Sequence, residues 1–114
     1  RGAAVPVAEI GVPEALARRT DPDVVFLDVR HPDDFRERRV AAPRVLNIPL
    51  AEVRDRLPEI PRGGLVIVYC AGRGCDAGHV AARILLGAGR PAAGIRVLTG
   101  GMDGWRSAGG PVAP

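Results

Sequence analysis

Two short apolar runs, each ended by a residue that can do chemistry, constrain the fold of this chain more than any other feature. Val24, Val25, Phe26 and Leu27 end at Asp28, and Leu65, Val66, Ile67, Val68 and Tyr69 end at Cys70. Runs of four or five apolar residues without polar alternation read as strands buried on two faces, as in the middle of a parallel sheet. Ile95 to Leu98 is a third, shorter candidate. Val45 to Ile48 is a fourth, ended by Pro49, and Val5 to Val7 add a weak strand that Pro6 confines to an edge. Helical patterns alternate with these runs: Val12 to Arg19 with Pro13 in its first turn, Pro32 to Arg39, Ala51 to Leu57, Asp76 to Ala88, and Met102 to Ala108. Such alternation predicts an α/β fold, a central and mostly parallel β-sheet flanked by helices on both faces.

The clearest helix follows Cys75. Ala77, Val80, Ala81, Ile84, Leu85 and Ala88 recur at three- and four-residue steps, so the Val80, Ile84 and Leu85 side is expected against the sheet. Asp76 is its N-cap candidate, and Gly89 followed by Pro91 is its stop. No repeat or low-complexity tract interrupts the pattern, and 114 residues suit one domain. The whole span 1–114 is therefore read as a single domain.

With 46% hydrophobic and 25% charged residues the composition is that of an ordinary globular protein. No apolar run approaches the ~18 residues of a membrane span, so no membrane partner is expected. All 16 basic residues are arginine, which together with the Ala, Gly, Pro and Val bias reads as coding composition rather than functional selection. The net charge is only +3, and the cluster Arg36, Arg38, Arg39 is offset by Asp33, Asp34 and Glu37, so nucleic acid is not expected as a partner. Residues 1–57 carry ten arginines against ten acids and the remainder six against three, which puts the surplus beside the cysteines. An anionic small substrate would be steered there. Two cysteines do not make a disulfide scaffold and match no Cys-x-x-Cys motif, which suits a reducing cytoplasm. The chain starts at Arg1 and shows no signal-peptide pattern, so it reads as a piece of a larger parent protein.

Cys70 lies at the carboxyl end of the most apolar strand, and Cys70-Ala71-Gly72-Arg73-Gly74-Cys75 leads directly into the helix after Asp76. Open α/β sheets bind ligands at that place. Gly72 and Gly74 let the backbone curl so that successive N–H groups, with those of the helix start, can face one point. A thiolate held there is stabilised and becomes nucleophilic, and Arg73 adds a positive charge that can recruit an oxyanion.

These residues resemble the rhodanese-like sulfurtransferase family over nearly the whole chain. Val25-Phe26-Leu27-Asp28-Val29-Arg30 followed by Pro32-Asp33-Asp34-Phe35 is similar to the family's strand and acidic helix, with Asn47-Ile48-Pro49-Leu50 as its next landmark. Val66-Ile67-Val68-Tyr69-Cys70 resembles the strand that delivers the active-site cysteine into a six-residue loop. Val97-Leu98-Thr99-Gly100-Gly101-Met102 with Trp105 and Gly109-Gly110-Pro111-Val112 is similar to the Gly-Gly-x-x-x-Trp ending. The chain departs at Arg38-Arg39-Val40, where Gly-His-Ile is common, and at Cys75, where many members have Arg or Ser.

The resemblance implies a rhodanese-like fold and a sulfurtransferase. Cys70 would take sulfane sulfur from a small anionic donor such as thiosulfate, hold it as a persulfide, and pass it to a thiol or cyanide acceptor. The amides of Ala71, Gly72, Arg73, Gly74 and Cys75 would cradle the terminal sulfur, with no metal or organic cofactor. Cys75 is either a resolving thiol that attacks the persulfide or closes a disulfide with Cys70, or a small side chain packing at the helix start. His79, off the apolar stripe, can face the mouth and carry a proton or join the cysteines around zinc; the spacing favours neither, because no fourth ligand follows. Asp28 and Arg30 are read as residues that pin neighbouring loops, and Trp105 as core with an indole N–H in need of a partner. A cysteine phosphatase needs an arginine at the end of the loop to grip phosphate oxygens, and here that position, Asp76, is acidic. The alternative from another class is a non-catalytic or sulfur- and redox-sensing interaction module fused to a partner domain.

Overall fold

A run of apolar residues becomes a central strand only if both of its faces are covered, and the chain supplies that cover from two directions. The computed structural model describes residues 6–114. Its strands are β1 (Glu9–Ile10), β2 (Val24–Asp28), β3 (Arg39–Val40), β4 (Val45–Asn47), β5 (Leu65–Tyr69), β6 (Ile95–Leu98) and β7 (Val112–Ala113), and its helices α1 (Val12–Arg18), α2 (Pro32–Glu37), α3 (Ala77–Gly87) and α4 (Gly101–Ser107). Five strands form one parallel sheet in the order β1-β6-β5-β2-β4, with β5 in the middle; β3 and β7 pair antiparallel beside it. All residues of β2 and β5 are buried. The α/β fold with helices on both faces is as expected.

Because side chains alternate along a strand, the two central strands feed two cores. Val25, Leu27, Val66 and Val68 meet Ala81, Ala82 and Leu85 of α3 together with Val53 and Ile60. Val24, Phe26, Leu65, Ile67 and Tyr69 meet Ala15 of α1 and Met102 and Trp105 of α4. Each large side chain so buried contributes about 1.5–3 kcal/mol against chain entropy. Trp105 is fully buried as expected, and its indole N–H donates to the Pro111 carbonyl at 2.7 Å.

Several elements depart from the sequence expectations. The edge strand is Glu9–Ile10 rather than Val5 to Val7; Val7 lies just before it, and Val5 lies outside the described residues. Instead of a helix over Ala51 to Leu57 there are two 3₁₀ turns, Leu50–Glu52 and Leu57–Glu59, the second opened by Pro58, which has no N–H to continue an α-helix. The Pro32 helix ends at Glu37, and Arg39 joins strand β3.

The buried face of α3 is Gly78, Ala81, Ala82 and Leu85, while Val80 and Ile84 flank it half-buried and Ala88 is exposed. Small residues win the inner face because the helix lies close to the sheet: a methyl group on Gly78 would sit 3.2 Å from Val97 Cγ1. Asp76 holds the N-cap position without a side-chain bond. The stop is as expected. Gly89 takes φ +90°, and Gly89 N–H and Arg90 N–H donate to Leu86 and Leu85 carbonyls, a Schellman closure.

Candidate functional site

Neighbouring strands β5 and β6 send their chains to opposite faces of the sheet. After β5 the chain enters α3, which packs on the Val66 and Val68 face, and after β6 it enters α4, on the Ile67 and Tyr69 face. The loops diverge and leave a crevice at the carboxyl ends, where sheets of this kind hold ligands. Here it is a cleft of about 270 Å³ lined by Cys70, Gly72, Arg73, Gly74, Cys75, His79, Glu9, Thr99, Gly100 and Gly101, among others. The sequence-predicted loop residues other than Ala71 therefore share one cavity with a histidine and a glutamate from other segments.

Backbone contacts fix the start of the loop. Met102 N–H donates to Cys70 O and Asp103 N–H to Ala71 O, each at 2.9 Å, so the first turn of α4 clamps the loop as it leaves β5. Gly101 makes that approach possible. Its φ is +56°, and a Cβ there would lie 2.6 Å from Cys70 O. At the far end the loop closes on itself through Cys75 N–H to Gly72 O at 3.0 Å, with Gly74 at φ +86°.

The two sulfurs are joined: Cys70 and Cys75 form a disulfide across Cα atoms 6.6 Å apart. That separation lies inside the range a disulfide bridges. Cys70 is 9% exposed, whereas Cys75 and Arg73 are open to solvent. The expected convergence of amides from residues 71 to 75 on the Cys70 sulfur is not seen in this disulfide-closed loop. The Cys75 amide is committed to Gly72, and among the described residues no loop amide donates to that sulfur. In this loop the Cys70 sulfur is bonded to Cys75.

His79 stands on the cleft wall. Its Nε2 is 2.9 Å from Glu9 Oε2, and Thr99 Oγ1 donates to Glu9 Oε1 at 3.2 Å. Hydrogen bonds from His79 and Thr99 hold the Glu9 carboxyl below its ordinary range. A carboxylate only accepts, so Nε2 donates in this contact and Nδ1 is the ring nitrogen not engaged by Glu9. No group of three or more His, Cys, Asp or Glu among the described residues could hold a metal ion. Glu9 and Thr99 were invisible as site residues in the sequence, because the bonds that join them span 70 residues from Glu9 to His79 and 90 from Glu9 to Thr99.

Asp28 and Arg30 pin loops behind the site, as expected. Asp28 is fully buried and takes Arg30 Nε and Nη2, the latter at 2.7 Å, and Arg30 Nη2 also donates to Arg38 O. Burial works against the Arg30 charge, but its bonds to Asp28 outweigh that and raise its pKa. Tyr69 joins this network. Its hydroxyl accepts from Val40 N–H at 3.2 Å, while burial and the nearby Asp28 charge push its pKa up strongly. His31 belongs to a different place, capping α2 by accepting from Asp33 N–H.

The family model described as "Rhodanese-like domain" matches residues 12–108. The chain belongs to the rhodanese-like domain family. It is 37% identical over 99 residues to an HTH-type transcriptional regulator of Mycobacterium tuberculosis; the match covers 87% of this chain and 42% of that protein, so the domain spans less than half of this curated relative. Among solved structures, a rhodanese-related protein from Thermoplasma volcanium has a TM-score of 0.77 at 24% identity, covering 93% of this chain and 97% of that one. A protein from Bacillus halodurans has a TM-score of 0.82 at 22% identity, covering 94% and 77%. These two share the rhodanese-like fold. An NAD-dependent persulfide reductase from A. fulgidus has a TM-score of 0.64 at 35% identity, covering 86% of this chain and 16% of that one. No helix of the described residues is long and apolar enough to cross a membrane.

Proposed function

We propose that this rhodanese-like domain carries sulfane sulfur on Cys70. The observation that bears most weight is the place of Cys70, at the end of the central strand on the floor of the cleft where β5 and β6 part company. In the reduced domain the Cys70 thiolate attacks the outer sulfur of thiosulfate or a related anion. A Cys70 S–S bond forms, the donor's own S–S bond breaks, and sulfite leaves with that electron pair. Exposed Arg73 on the cleft rim supplies positive charge for the donor. A thiolate or cyanide then takes the terminal sulfur and returns Cys70 to its starting state. No metal or organic cofactor enters either step, and the reduced loop calls for a reducing compartment such as the cytoplasm.

The test is a single turnover: reduced, desalted domain mixed with thiosulfate under anaerobic conditions. One sulfite per chain is expected from the native protein and none from Cys70→Ser, since the cysteine forms the covalent intermediate. Equal sulfite from both would remove Cys70 from the reaction.

A second reading has its own support. The curated relative is a transcriptional regulator of which this domain spans 42%, and the two cysteines already form a disulfide. Within a longer protein the same loop would report sulfur or oxidants to a fused partner domain.

A further inference from the structure

We infer that Cys75 empties the Cys70 persulfide as hydrosulfide, so that the domain is a persulfide-reducing module whose turnover ends in the Cys70–Cys75 disulfide. The inference rests on Cys70 carrying sulfur as proposed above and names what next becomes of that sulfur. Its basis is the bond between the two sulfurs: the loop brings Cys75 onto Cys70 itself, with Cα atoms 6.6 Å apart. The folded chain holds this geometry while α4 grips the loop at Cys70 and Ala71 and the Gly72–Cys75 turn closes it. A thiol tethered in that way meets the persulfide at an effective concentration far above that of free acceptors.

The step balances without an outside oxidant. Cys75 sulfur attacks the Cys70 Sγ of the persulfide. The new bond is Cys70 Sγ–Cys75 Sγ, the broken bond is Cys70 Sγ to the terminal sulfur, and that sulfur departs with the electron pair. The terminal sulfur is reduced to the hydrosulfide level while the two cysteine sulfurs are oxidised to a disulfide. The proton lost by the Cys75 thiol is the one the departing sulfur needs, and His79 on the cleft wall, its Nε2 engaged by Glu9, offers Nδ1 to carry it.

Exposure then sets the direction of the reset. Cys75 is open to solvent and Cys70 is nearly covered, so an external dithiol reductant attacks the Cys75 sulfur and expels Cys70 as thiolate. The dithiol ends as a disulfide, and Cys70 is again ready for a donor. The nucleophile is thus returned free, with Cys75 holding the mixed disulfide until the second thiol of the reductant releases it.

The experiment follows two products and the protein in one anaerobic mixture. Reduced domain is mixed with thiosulfate without reductant; sulfite reports loading, hydrosulfide reports emptying, and intact mass reports the protein. Native protein should release hydrosulfide and sulfite in equal amounts and finish lighter than the reduced chain by two hydrogens, at a rate independent of protein concentration. A donor-free control should show no disulfide. In Cys75→Ser the ratio of hydrosulfide to sulfite should fall at least tenfold, whatever its loading rate, with a chain heavier by one sulfur. A native protein that releases sulfite but keeps the extra sulfur overturns the inference and leaves the carrier function standing. So does a hydrosulfide ratio equal in the two proteins. Absence of sulfite from both overturns the carrier function, and the inference with it.

Discussion

Replacing Gly101 by alanine tests how the fold holds the cysteine loop. The residue sits at φ +56° at the start of α4, and its missing Cβ would lie 2.6 Å from Cys70 O and 3.0 Å from Gly72 N. Left-handed backbone costs a residue with a side chain about 1–2 kcal/mol. The overlap is with backbone on two sides, so no side chain can swing away, and forcing α4 off the loop adds about 1–3 kcal/mol. Gly101→Ala should therefore lose roughly 2–5 kcal/mol out of the 5–15 typical of a domain. The assay is urea unfolding followed by the fluorescence of Trp105, the one tryptophan in the chain, with dithiol present so that the disulfide does not contribute. The midpoint should fall without a change in slope. Sulfite release by the folded fraction should drop about tenfold or more, because the Met102 and Asp103 amides that fix the Cys70 and Ala71 carbonyls are displaced. Gly87→Ala, in α3 with open space around its would-be methyl, is the control and should be neutral or gain up to about 1 kcal/mol. Gly101→Ala within about 0.5 kcal/mol of the native protein, with normal sulfite release, would refute the claim that α4 sets the loop.

Tyr69 is the one tyrosine and the chain has no lysine, so its ionisation dominates the alkaline range. The folded pKa is raised, so the unfolded chain loses its proton first: stability should be fully present below about pH 10 and fall above it by about 1.4 kcal/mol per pH unit. In Tyr69→Phe this slope should vanish, and a slope that persists there contradicts the account. Arg90 donates to the carbonyls of Leu57, Ile60 and Pro61, so Arg90→Met should cost about 2–4 kcal/mol by leaving them unpaired, measured by thermal unfolding. His79→Gln should slow hydrosulfide release about a hundredfold relative to sulfite release, and added imidazole should restore it; a fold defect would show no such rescue.

The elements that reasoning from sequence captures are those whose burial is written in consecutive residues. Leu65 to Tyr69 and Ile95 to Leu98 are strands from end to end as expected, because an unbroken apolar run has few other ways to leave water. Glu9–Ile10 was not legible, since an edge strand needs only backbone pairing with β6 and buries one residue. The apolar stripe points to Val80 and Ile84 as the inner face of α3, but hydrophobicity marks which side chains prefer burial, not how near the sheet lies; Gly78, Ala81 and Ala82 fit the narrow gap. At the site, Cys70 and its loop stand out as a contiguous motif. For Cys75 the sequence allows both a disulfide with Cys70 and a packed small side chain, and the Glu9–His79–Thr99 cluster, assembled from three distant segments, has no local signature.

The claim on which the rest depends is that sulfur is held on Cys70, and the sequence offers a direct way to locate it. Arg73 lies between Cys70 and Cys75, so trypsin separates the two cysteines into different peptides. The reduced Cys75→Ser protein, loaded with thiosulfate carrying a heavy isotope in its outer sulfur and then alkylated, should yield the label on the peptide ending at Arg73, bound through Cys70. Label absent from that peptide, or found on the Cys75 peptide of Cys70→Ser in the same yield, would contradict the account.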